Sequence, residues 1–520
     1  MSPRRWLAPC AAVAVLAAPA PSRADDDGPP VVAPARGRPR RPPAPGPRQQ
    51  RRADDLEETR RPFTMGPEGF PLAGYHGGHF FLRDDHDQFR LFPGLLMQVD
   101  TRTTLGRGVH DVGGEAGDPL RTRMSMRRAR LDLGGEVLSR WSFFLSGDLA
   151  GPKPHLEHGF VEVRIARWLQ LSMGQQQVPF TMENRTDEAH MMWLERPLAV
   201  RFAQPSNKDL GLMAAGRTRG GVFAYEAGVF GGDANQERGP VRENADERFD
   251  GVARVYARPL ATTGTIARHI QIGASARYGM RAKDDVRYPL APLTTDGGYT
   301  LFATSYRGAD GRTVNVLPSG RDTAFAGEVR VPVSRLDLRF EFVSLRRNTR
   351  EAVAGLEATN SERFGHLSGT AFYAQLGVFL MGRPGLRQDP GRFSPPHVGF
   401  PKGHPRLPPR GLEVVLRGES LRARYVAGDR AAQAGDATPD ARIAVDVIGA
   451  GLNYYATHHA SLSLGYGYVM VPSSYKGDNA ALAPGNLGCP NRRTDVGPNT
   501  ACHTGAHSLH ELTLRGQVAF

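Results

Sequence analysis

The sequence predicts an all-β protein, a 16-stranded antiparallel transmembrane β-barrel preceded by a signal peptide and a disordered linker. Three observations predict this fold. Apolar and polar side chains alternate with a period of two, tight and long connections follow one another in turn, and the chain starts with an export signal. The periodicity alone does not separate a membrane barrel from a soluble β-sandwich, whereas the two ends of the chain do.

The alternation is clearest between residues 121 and 173, where it runs through four successive segments. In the first segment Leu131 and Leu133 alternate with Arg130 and Asp132. Successive Cβ atoms of a strand point to opposite faces of a sheet, so this period predicts strands. A soluble sandwich buries its apolar face, while a membrane barrel turns that face to lipid and lines its lumen with the polar one.

The alternation predicts sixteen strands with connections of two lengths. The strands lie near residues 89–104, 122–137, 141–149, 158–166, 168–177, 208–217, 220–231, 247–258, 267–282, 322–333, 335–347, 367–384, 410–427, 440–458, 460–472 and 508–520, with a short extra strand near 79–83. Long connections at 105–121, 178–207, 232–246, 283–321, 348–366, 428–439 and 473–507 alternate with tight turns at 138–140, 167, 218–219, 334 and 459. Outer-membrane barrels have short periplasmic turns and long extracellular loops. The proline-rich link 385–409 is the exception, because a tight turn is expected there.

The N-terminus has the pattern of a secretory signal. Arg4 and Arg5 precede an apolar segment over residues 7–20, and Ser22-Arg23-Ala24 forms a cleavage site. This order of a basic, an apolar and a small-residue region predicts a signal peptide over residues 1–24.

The segment that follows the signal peptide is predicted to be a linker. Residues 25–62 are rich in proline, arginine and acidic residues and contain almost no aromatic or branched apolar side chains. Such a segment cannot bury enough surface to offset the entropy lost on ordering, which predicts a disordered periplasmic linker. Residues 63–520 then form the barrel domain.

Aromatic residues support lipid on the outside of the barrel. Trp141 and Trp168 stand at strand starts beside tight turns, where an interfacial aromatic girdle is expected. The chain also ends on the strand LTLRGQVAF, with terminal Phe520 on its apolar face. A closing phenylalanine of this kind resembles the C-terminal signal read by the outer-membrane assembly machinery.

Composition narrows the remaining classes of function. The formal net charge is +13, but it is spread along the strands with carboxylates nearby, so no nucleic-acid partner is predicted. No apolar run approaches the roughly 18 residues of a transmembrane helix. After removal of the signal peptide, Cys489 and Cys502 remain in one glycine- and proline-rich segment, and in an exported protein such a pair predicts a disulfide.

Taken together, several stretches resemble the phosphate-selective porin O and P family. They are Leu96-Met97-Gln98-Val99-Asp100-Thr101-Arg102, Arg127-Arg128-Ala129-Arg130-Leu131 with Gly135, Trp168-Leu169-Gln170-Leu171 leading to Gly174, Val178-Pro179-Phe180, Glu195-Arg196-Pro197, Asp209-Leu210-Gly211-Leu212 and Gly451-Leu452-Asn453-Tyr454-Tyr455. The resemblance implies an outer-membrane barrel of a Gram-negative bacterium, usually a homotrimer, that passes anions by diffusion. It also implies that loop 178–207 folds back to constrict the pore. Lys208 departs from the family, which often has arginine at that position.

The candidate binding residues are the basic side chains of the predicted lumen and of loop 178–207, because guanidinium groups match phosphate oxygens and stay charged. The candidates are Arg128, Arg130, Arg164, Arg185, Arg196, Arg201, Lys208, Arg254, Arg277, Arg330 and Arg339. The same predicted polar faces also carry Arg102, Arg258, Arg417 and Arg515, and ten carboxylates: Asp100, Asp132, Asp148, Glu162, Glu226, Glu328, Asp337, Glu341, Glu413 and Glu511. The arginines therefore either form a track for anions or pair with these acids as a structural lattice, and the sequence leaves both interpretations open.

The predicted function is passive diffusion of phosphate or other small anions through this barrel, in contact with outer-membrane lipid. No catalysis, cofactor or metal site is predicted, since the sequence has no recognisable catalytic motif, and the pair His155 and His158 is interpreted as surface histidines. Three alternatives remain: a general or differently selective porin on the same barrel, a secreted β-sandwich binding protein, and an outer-membrane enzyme.

Overall fold

The computed structural model describes most of the predicted barrel domain. It covers residues 72–76, 79–105, 122–151, 153–203, 207–232, 248–281, 290, 293–302, 305–307, 313–356, 363–382, 391, 410–427, 440–470 and 508–520. The predicted signal peptide, the linker 25–62 and the cysteines Cys489 and Cys502 lie outside the described residues, so they stay predictions.

The described residues form 21 strands. They are β1 (Ala73–His76), β2 (His79–Arg83), β3 (Phe89–Leu105), β4 (Arg123–Val137), β5 (Trp141–Asp148), β6 (His155–Ala166), β7 (Leu169–Gln177), β8 (Lys208–Arg217), β9 (Phe223–Phe230), β10 (Asp250–Ala257), β11 (Gln271–Arg281), β12 (Leu293–Thr294), β13 (Thr300–Phe302), β14 (Ser305–Arg307), β15 (Thr313–Val333), β16 (Leu336–Val353), β17 (Arg363–Met381), β18 (Gly411–Ala427), β19 (Asp440–Tyr455), β20 (Ala460–Met470) and β21 (Ser508–Ala519). The α-helix that the structure describes is α1 (Leu198–Ala203). No helix in the described part of the chain is long and apolar enough to cross a membrane.

Sixteen of the described strands, β3–β11 and β15–β21, form one closed antiparallel barrel. Each pairs with the next around the ring, β11 pairs with β15, and β21 pairs with β3 to close it. The hairpin of β1 and β2 extends the edge of β3, and β12 pairs with β13 as a separate hairpin. The predicted fold class is confirmed.

The largest difference from the predicted boundaries is on β15, which begins at Thr313 rather than near residue 322. The register with β16 shifts between Pro318 and Asp322, and pairing continues beyond the shift to Val314 opposite Val353. A bulge of this kind interrupts the period of two. The alternating pattern in the sequence therefore ends near Pro318, although the strand itself continues to Thr313.

The two faces of the barrel wall differ in the way expected for a membrane barrel. The side chains of Leu131, Phe325 and Ile448 point outward and are 59%, 61% and 60% exposed. Arg254 and Arg339 point inward and are fully buried. A soluble β-sandwich buries its apolar face, so this arrangement overturns the sandwich alternative and indicates an outer surface in contact with lipid.

The predicted aromatic girdle lies at the short-turn end. Trp141 and Trp168 are 52% and 63% exposed on the outer surface beside their turns. Terminal Phe520 lies at the same end, stacked on His459 with ring centroids 4.8 Å apart. Its backbone N–H donates to the Leu95 carbonyl across the closing seam at 2.9 Å.

Part of the lumen is filled by apolar side chains. Helix α1 contributes Leu198, Val200 and Phe202 to a buried cluster with inward-facing residues such as Val343 and Leu421 of the wall. The hairpin of β12 and β13 joins the same cluster. This packing fixes the segment that precedes β8 inside the barrel.

Candidate functional site

The described part of the predicted constriction loop, residues 178–203 and 207, lies inside the barrel and reaches both sides of the wall. Near its start, the Thr181 N–H donates to Ser275 Oγ of β11 at 3.1 Å. Further along, Gln517 Nε2 of β21 donates to the Ala189 carbonyl at 2.9 Å. Strands β11 and β21 are nearly opposite in the ring of described strands. The loop therefore crosses the lumen rather than lying along one wall.

An apolar contact holds the loop against β19 and β20. The Trp193 ring lies over two glycines of β19, so close that a Cβ at Gly449 or Gly451 would stand 2.7 or 3.0 Å from it. Leu194 lies in the same way over Gly465, where a Cβ would stand 2.4 Å away. The glycines thus form a notch that admits the loop, as expected where a side chain approaches a strand backbone closely.

The first ionic cluster centres on Glu188 of the loop. Its carboxylate oxygens accept hydrogen bonds from Arg130 Nη1 and Arg196 Nη1 at 3.0 Å each, and from Lys208 Nζ at 3.2 Å. Burial alone would raise the pKa of Glu188, but Lys208, Arg130 and Arg196 hold that pKa well below its usual range. The cluster ties the loop to β4 and β8.

Glu157 of β6 extends this cluster. It accepts hydrogen bonds from Arg130 Nη2 at 2.9 Å and from Lys208 Nζ. Candidate ligand atoms of Asp148, His155 and Glu157 lie within 4.8 Å of one another. Because Arg130 and Lys208 already donate to Glu157, we interpret Asp148, His155 and Glu157 as part of an ion-pair network and not as a metal site. His158, predicted as a surface residue, is buried instead, with its ring 5.4 Å from that of Phe144.

The second ionic cluster centres on Glu195, further along the loop. Arg127 donates its Nε to Glu195 Oε1 at 2.8 Å and its Nη2 to Oε2 at 3.1 Å. Arg102 Nη2 and Arg515 Nη2 each donate to Oε1 at 2.8 Å. Arg128 Nη2 lies 3.7 Å from Oε2. Burial would raise the pKa of Glu195, but Arg127 and the other arginines keep it well below its usual range.

Only one further carboxylate takes part in the Glu195 cluster among the described residues. Asp100 accepts hydrogen bonds from Arg515 Nε at 2.7 Å and from Arg102 Nη2 at 2.6 Å. Four guanidinium groups against two carboxylates leave two positive charges in excess. By contrast, the Glu188 cluster has three cations, from Arg130, Arg196 and Lys208, and three acids, from Glu188, Glu157 and Asp148.

A cavity opens between the loop and the short-turn end of the barrel. It encloses about 900 Å³, including space open to solvent. Its charged lining consists of Arg164, Arg167, Arg185, Arg217, Glu136, Glu162 and Glu226. Arg185 at its inner end forms an ion pair with Glu226 at 2.6 Å.

Comparison with known proteins finds one similar family for part of the chain. Residues 99–291 match the family model described as "Phosphate-selective porin O and P". Over this part of the chain the protein is similar to that porin family. The matched residues include every named member of the two ionic clusters except Arg515 of β21.

Solved structures of outer-membrane proteins are similar to this chain at low identity. OmpT of Vibrio cholerae has 10% identity and a TM-score of 0.45, over 85% of this chain and 99% of that chain. An anion-selective porin from Comamonas acidovorans has 11% identity and a TM-score of 0.43, over 83% and 100%. The channel DcaP of Acinetobacter baumannii has 8% identity and a TM-score of 0.41, over 83% and 97%. Curated protein sequences include no significant match.

Most of the predicted binding residues are ion-paired in the structure. Arg128, Arg130, Arg196 and Lys208 surround Glu188 and Glu195, as described above. The remaining pairs are Arg185 and Arg254 with Glu226, Arg254 also with Glu328, Arg201 with Asp296, Arg277 with Asp322, and Arg330 and Arg339 with Asp337. Arg164 lines the cavity at the short-turn end. Whether any of them contacts a permeating anion stays a prediction.

Arg127 was missed as a lumen residue, because strict alternation places it on the same face as Ala129. The register between β3 and β4 shifts at Gln98 and Val99, so Arg127 is the extra residue of a bulge and reaches Glu195 beside Arg128. A bulge redirects a side chain without ending the strand. The signal was the adjacent pair Arg127 and Arg128, since strict alternation would place one of the two in lipid at considerable cost.

Proposed function

We propose that this outer-membrane channel passes small anions, phosphate among them, by passive diffusion past the constriction loop. The observation that carries the proposal is the excess of two positive charges where Arg102, Arg127, Arg128 and Arg515 meet Glu195 and Asp100. A fixed positive potential at a narrow point raises the local concentration of anions and repels cations.

The two outermost arginines of the cluster are accessible to a permeating ion. The Arg127 side chain is 40% exposed and that of Arg102 is 21% exposed. Guanidinium groups present planar donors to phosphate oxygens. Partial neutralisation by Glu195 and Asp100 keeps each contact weak, and weak contacts at several sites are what conduction requires.

A general porin with little preference for phosphate is the second candidate. It is favoured by the ion pairs that occupy most of the predicted binding arginines, such as Arg277 with Asp322 at 2.8 Å and Arg330 with Asp337 at 2.9 Å. Such pairs stiffen the barrel wall and neutralise its charge. Under this candidate the channel discriminates by size more than by charge.

The deciding experiment measures reversal potentials in planar bilayers under a potassium chloride gradient and then titrates phosphate. We expect anion-selective current that phosphate blocks in a saturable way. The variant Arg102→Gln/Arg127→Gln should reduce both the anion preference and the affinity for phosphate. Arg335→Gln is the matched control, because Arg335 is an exposed arginine in the short turn between β15 and β16, outside the lumen.

The outcomes separate the two candidates. Anion selectivity without saturable block would favour the general porin. Cation-selective current, or an unchanged reversal potential in Arg102→Gln/Arg127→Gln, would contradict the proposed role of the Glu195 cluster.

We also propose that the porin assembles as a homotrimer after removal of residues 1–24, and that the closing strand with Phe520 is read by the assembly machinery. The support is the similarity to the porin family over residues 99–291 together with the export pattern of the sequence. The mass of the complex in detergent and N-terminal sequencing of the mature protein test the first two points.

A further inference from the structure

The outer surface of the barrel changes from apolar to basic toward the ends of its longest strands. On β16 the outward side chains are Leu338, Phe340 and Phe342, followed by Ser344 and Arg346. The three apolar side chains are 38–41% exposed, and Arg346 is exposed on the same face. The basic residue therefore lies on the outer wall and not in the lumen.

The neighbouring strands repeat this change. On β18 the outward face runs from Leu416, which is 50% exposed, to Arg422 and Arg424. Arg346 pairs in register with Ser368 of β17, and Ser368 pairs with Arg424. The two arginines thus flank one serine in a single row, two strand spacings or about 10 Å apart.

The distance of Arg346 and Arg424 from the short-turn end of the barrel equals about the thickness of the apolar part of a membrane. Arg346 stands ten residues from Leu336, the first residue of β16 at the short-turn end. Ten residues extend about 33 Å along a strand, which is about 25 Å across a membrane at the usual strand tilt. An apolar band of a transmembrane barrel is also about 25 Å tall. The arginines therefore lie at the level of the lipid headgroups, on the side of the long connections.

Aromatic side chains on the same side support this level. Tyr468 of β20 and His510 of β21 have ring centroids 4.9 Å apart on the outer face. Tyr468 pairs in register with Ile448, which is 60% exposed on the apolar surface. Aromatic rings of this kind mark the boundary between hydrocarbon and headgroups.

Asp446 lies within the basic surface and is paired with Arg422. Arg422 Nη2 donates to Asp446 Oδ1 and Oδ2 at 2.8 and 2.6 Å. Its Nη1 donates to the carbonyls of Leu421 and Val445 at 2.9 and 3.0 Å, which fixes the guanidinium. Arg346 and Arg424 are exposed on the same outer face as Arg422.

We propose that Arg346, Arg422 and Arg424 form a binding surface for the phosphate groups of an anionic glycolipid in the outer leaflet. The long connections of an outer-membrane barrel are extracellular, so this end faces the outer leaflet. Guanidinium groups bind phosphate through paired, charge-assisted hydrogen bonds, and basic clusters at headgroup level recognise anionic lipids. On β4 the outward side chains at the corresponding end are Met124 and Met126, which are both exposed.

Native mass spectrometry of the detergent-purified porin with added diphosphoryl lipid A tests this surface. We expect retained lipid adducts, and about tenfold weaker retention for each arginine removed in Arg346→Gln/Arg424→Gln, since each loses a charge-assisted contact. Arg335→Gln, an exposed arginine at the other end of the hairpin of β15 and β16, is the matched control and should retain lipid as the native protein does.

Three comparisons make the result decisive. Dephosphorylated lipid A and phosphatidylcholine should be retained weakly and equally by native protein and variant. Inorganic phosphate at millimolar concentration should not displace diphosphoryl lipid A; displacement would show that the surface takes free anions and would overturn the lipid assignment. Equal retention by Arg346→Gln/Arg424→Gln and native protein, or loss of the oligomer without loss of lipid, would also overturn it. Unchanged single-channel conductance of the variant verifies that it is folded.

Discussion

Arg127 of β4 and Glu195 of the constriction loop form a two-point ion pair, with Nε and Nη2 of the arginine 2.8 and 3.1 Å from the two carboxylate oxygens. The contact joins a bulge in the barrel wall to the loop that crosses the lumen. Glu195 therefore has two roles. It holds the loop against the barrel wall, and its negative charge neutralises part of the positive charge of the arginine cluster.

Removing that acid should loosen the loop and strengthen the positive potential. In Glu195→Gln the guanidiniums of Arg102, Arg127, Arg128 and Arg515 lose their shared carboxylate. Loss of one partner from a buried ionic cluster costs about 3–5 kcal/mol. We expect a lower unfolding midpoint in denaturant, a larger single-channel conductance and a stronger anion preference. Glu162→Gln, in the cavity wall at the short-turn end, should change none of these properties comparably.

The glycine notch should tolerate no side chain. In Gly449→Ala the new Cβ would lie 2.7 Å from the Trp193 ring, so the loop must shift. Overpacking of this kind costs about 1–3 kcal/mol. The matched control is Gly467→Ala on the adjacent strand, where a Cβ meets nothing within 4 Å. Thermal unfolding in detergent measures both variants, and equal midpoints would contradict the notch.

The stability of the loop should depend on pH through Glu188. Because the folded-state pKa of Glu188 lies below its ordinary value, its charge stabilises the fold above that value. The stabilisation is lost as the pH falls below about 4 and through the folded-state pKa. Glu188→Gln should therefore have a lower midpoint at pH 7 and a flatter decline on acidification. Asp85→Asn, in an exposed turn, should follow the native profile.

A charge on the outer surface should distinguish lipid contact from water contact. Leu131 is 59% exposed on the outer face of β4, and lysine near the middle of a bilayer costs about 2–4 kcal/mol in a barrel. We expect Leu131→Lys to lower the unfolding midpoint in lipid vesicles. Ile266→Lys is the control, since Ile266 is 69% exposed in the connection between β10 and β11, outside the strands. Equal stability of the two variants would argue against lipid at position 131.

The C-terminal residue should matter more for assembly in cells than for the finished fold. Phe520→Ala removes a ring stacked on His459 and leaves the backbone bond to Leu95 in place. If the assembly machinery reads this residue, the amount of folded porin in outer membranes should fall severalfold. Folding of the purified chain into detergent micelles should change little. Phe89→Ala, which removes another exposed aromatic side chain, should affect neither measurement comparably.

The sequence predicted the barrel well because its signals are local. A period of two appears in each strand separately, and tight turns such as 138–140 are marked by where the alternation breaks. All sixteen barrel strands of the described residues correspond to predicted ones, and β8 has the predicted bounds. Local signals failed where a bulge displaced the alternation, at Arg127 and near Pro318.

The candidate site was predictable only in part. That arginines line the lumen followed from the alternation, and the constriction loop followed from the family resemblance. Which acid meets which arginine did not, because Glu195 reaches Arg515 across 320 residues of sequence. The alternation of side chains along a strand carries no information about contacts between residues so far apart in the sequence.

By itself, the sequence determined the number of barrel strands and which side chains face inward and outward. Through the family resemblance it also indicated that loop 178–207 enters the lumen. The tertiary structure alone decided the balance of charge at each point along that lumen. Closure of the barrel brings β3, β4 and β21 around one loop and so places four arginines beside two carboxylates. Alternation along a strand sets where a side chain points, whereas the charge it faces depends on strands that are distant in the chain.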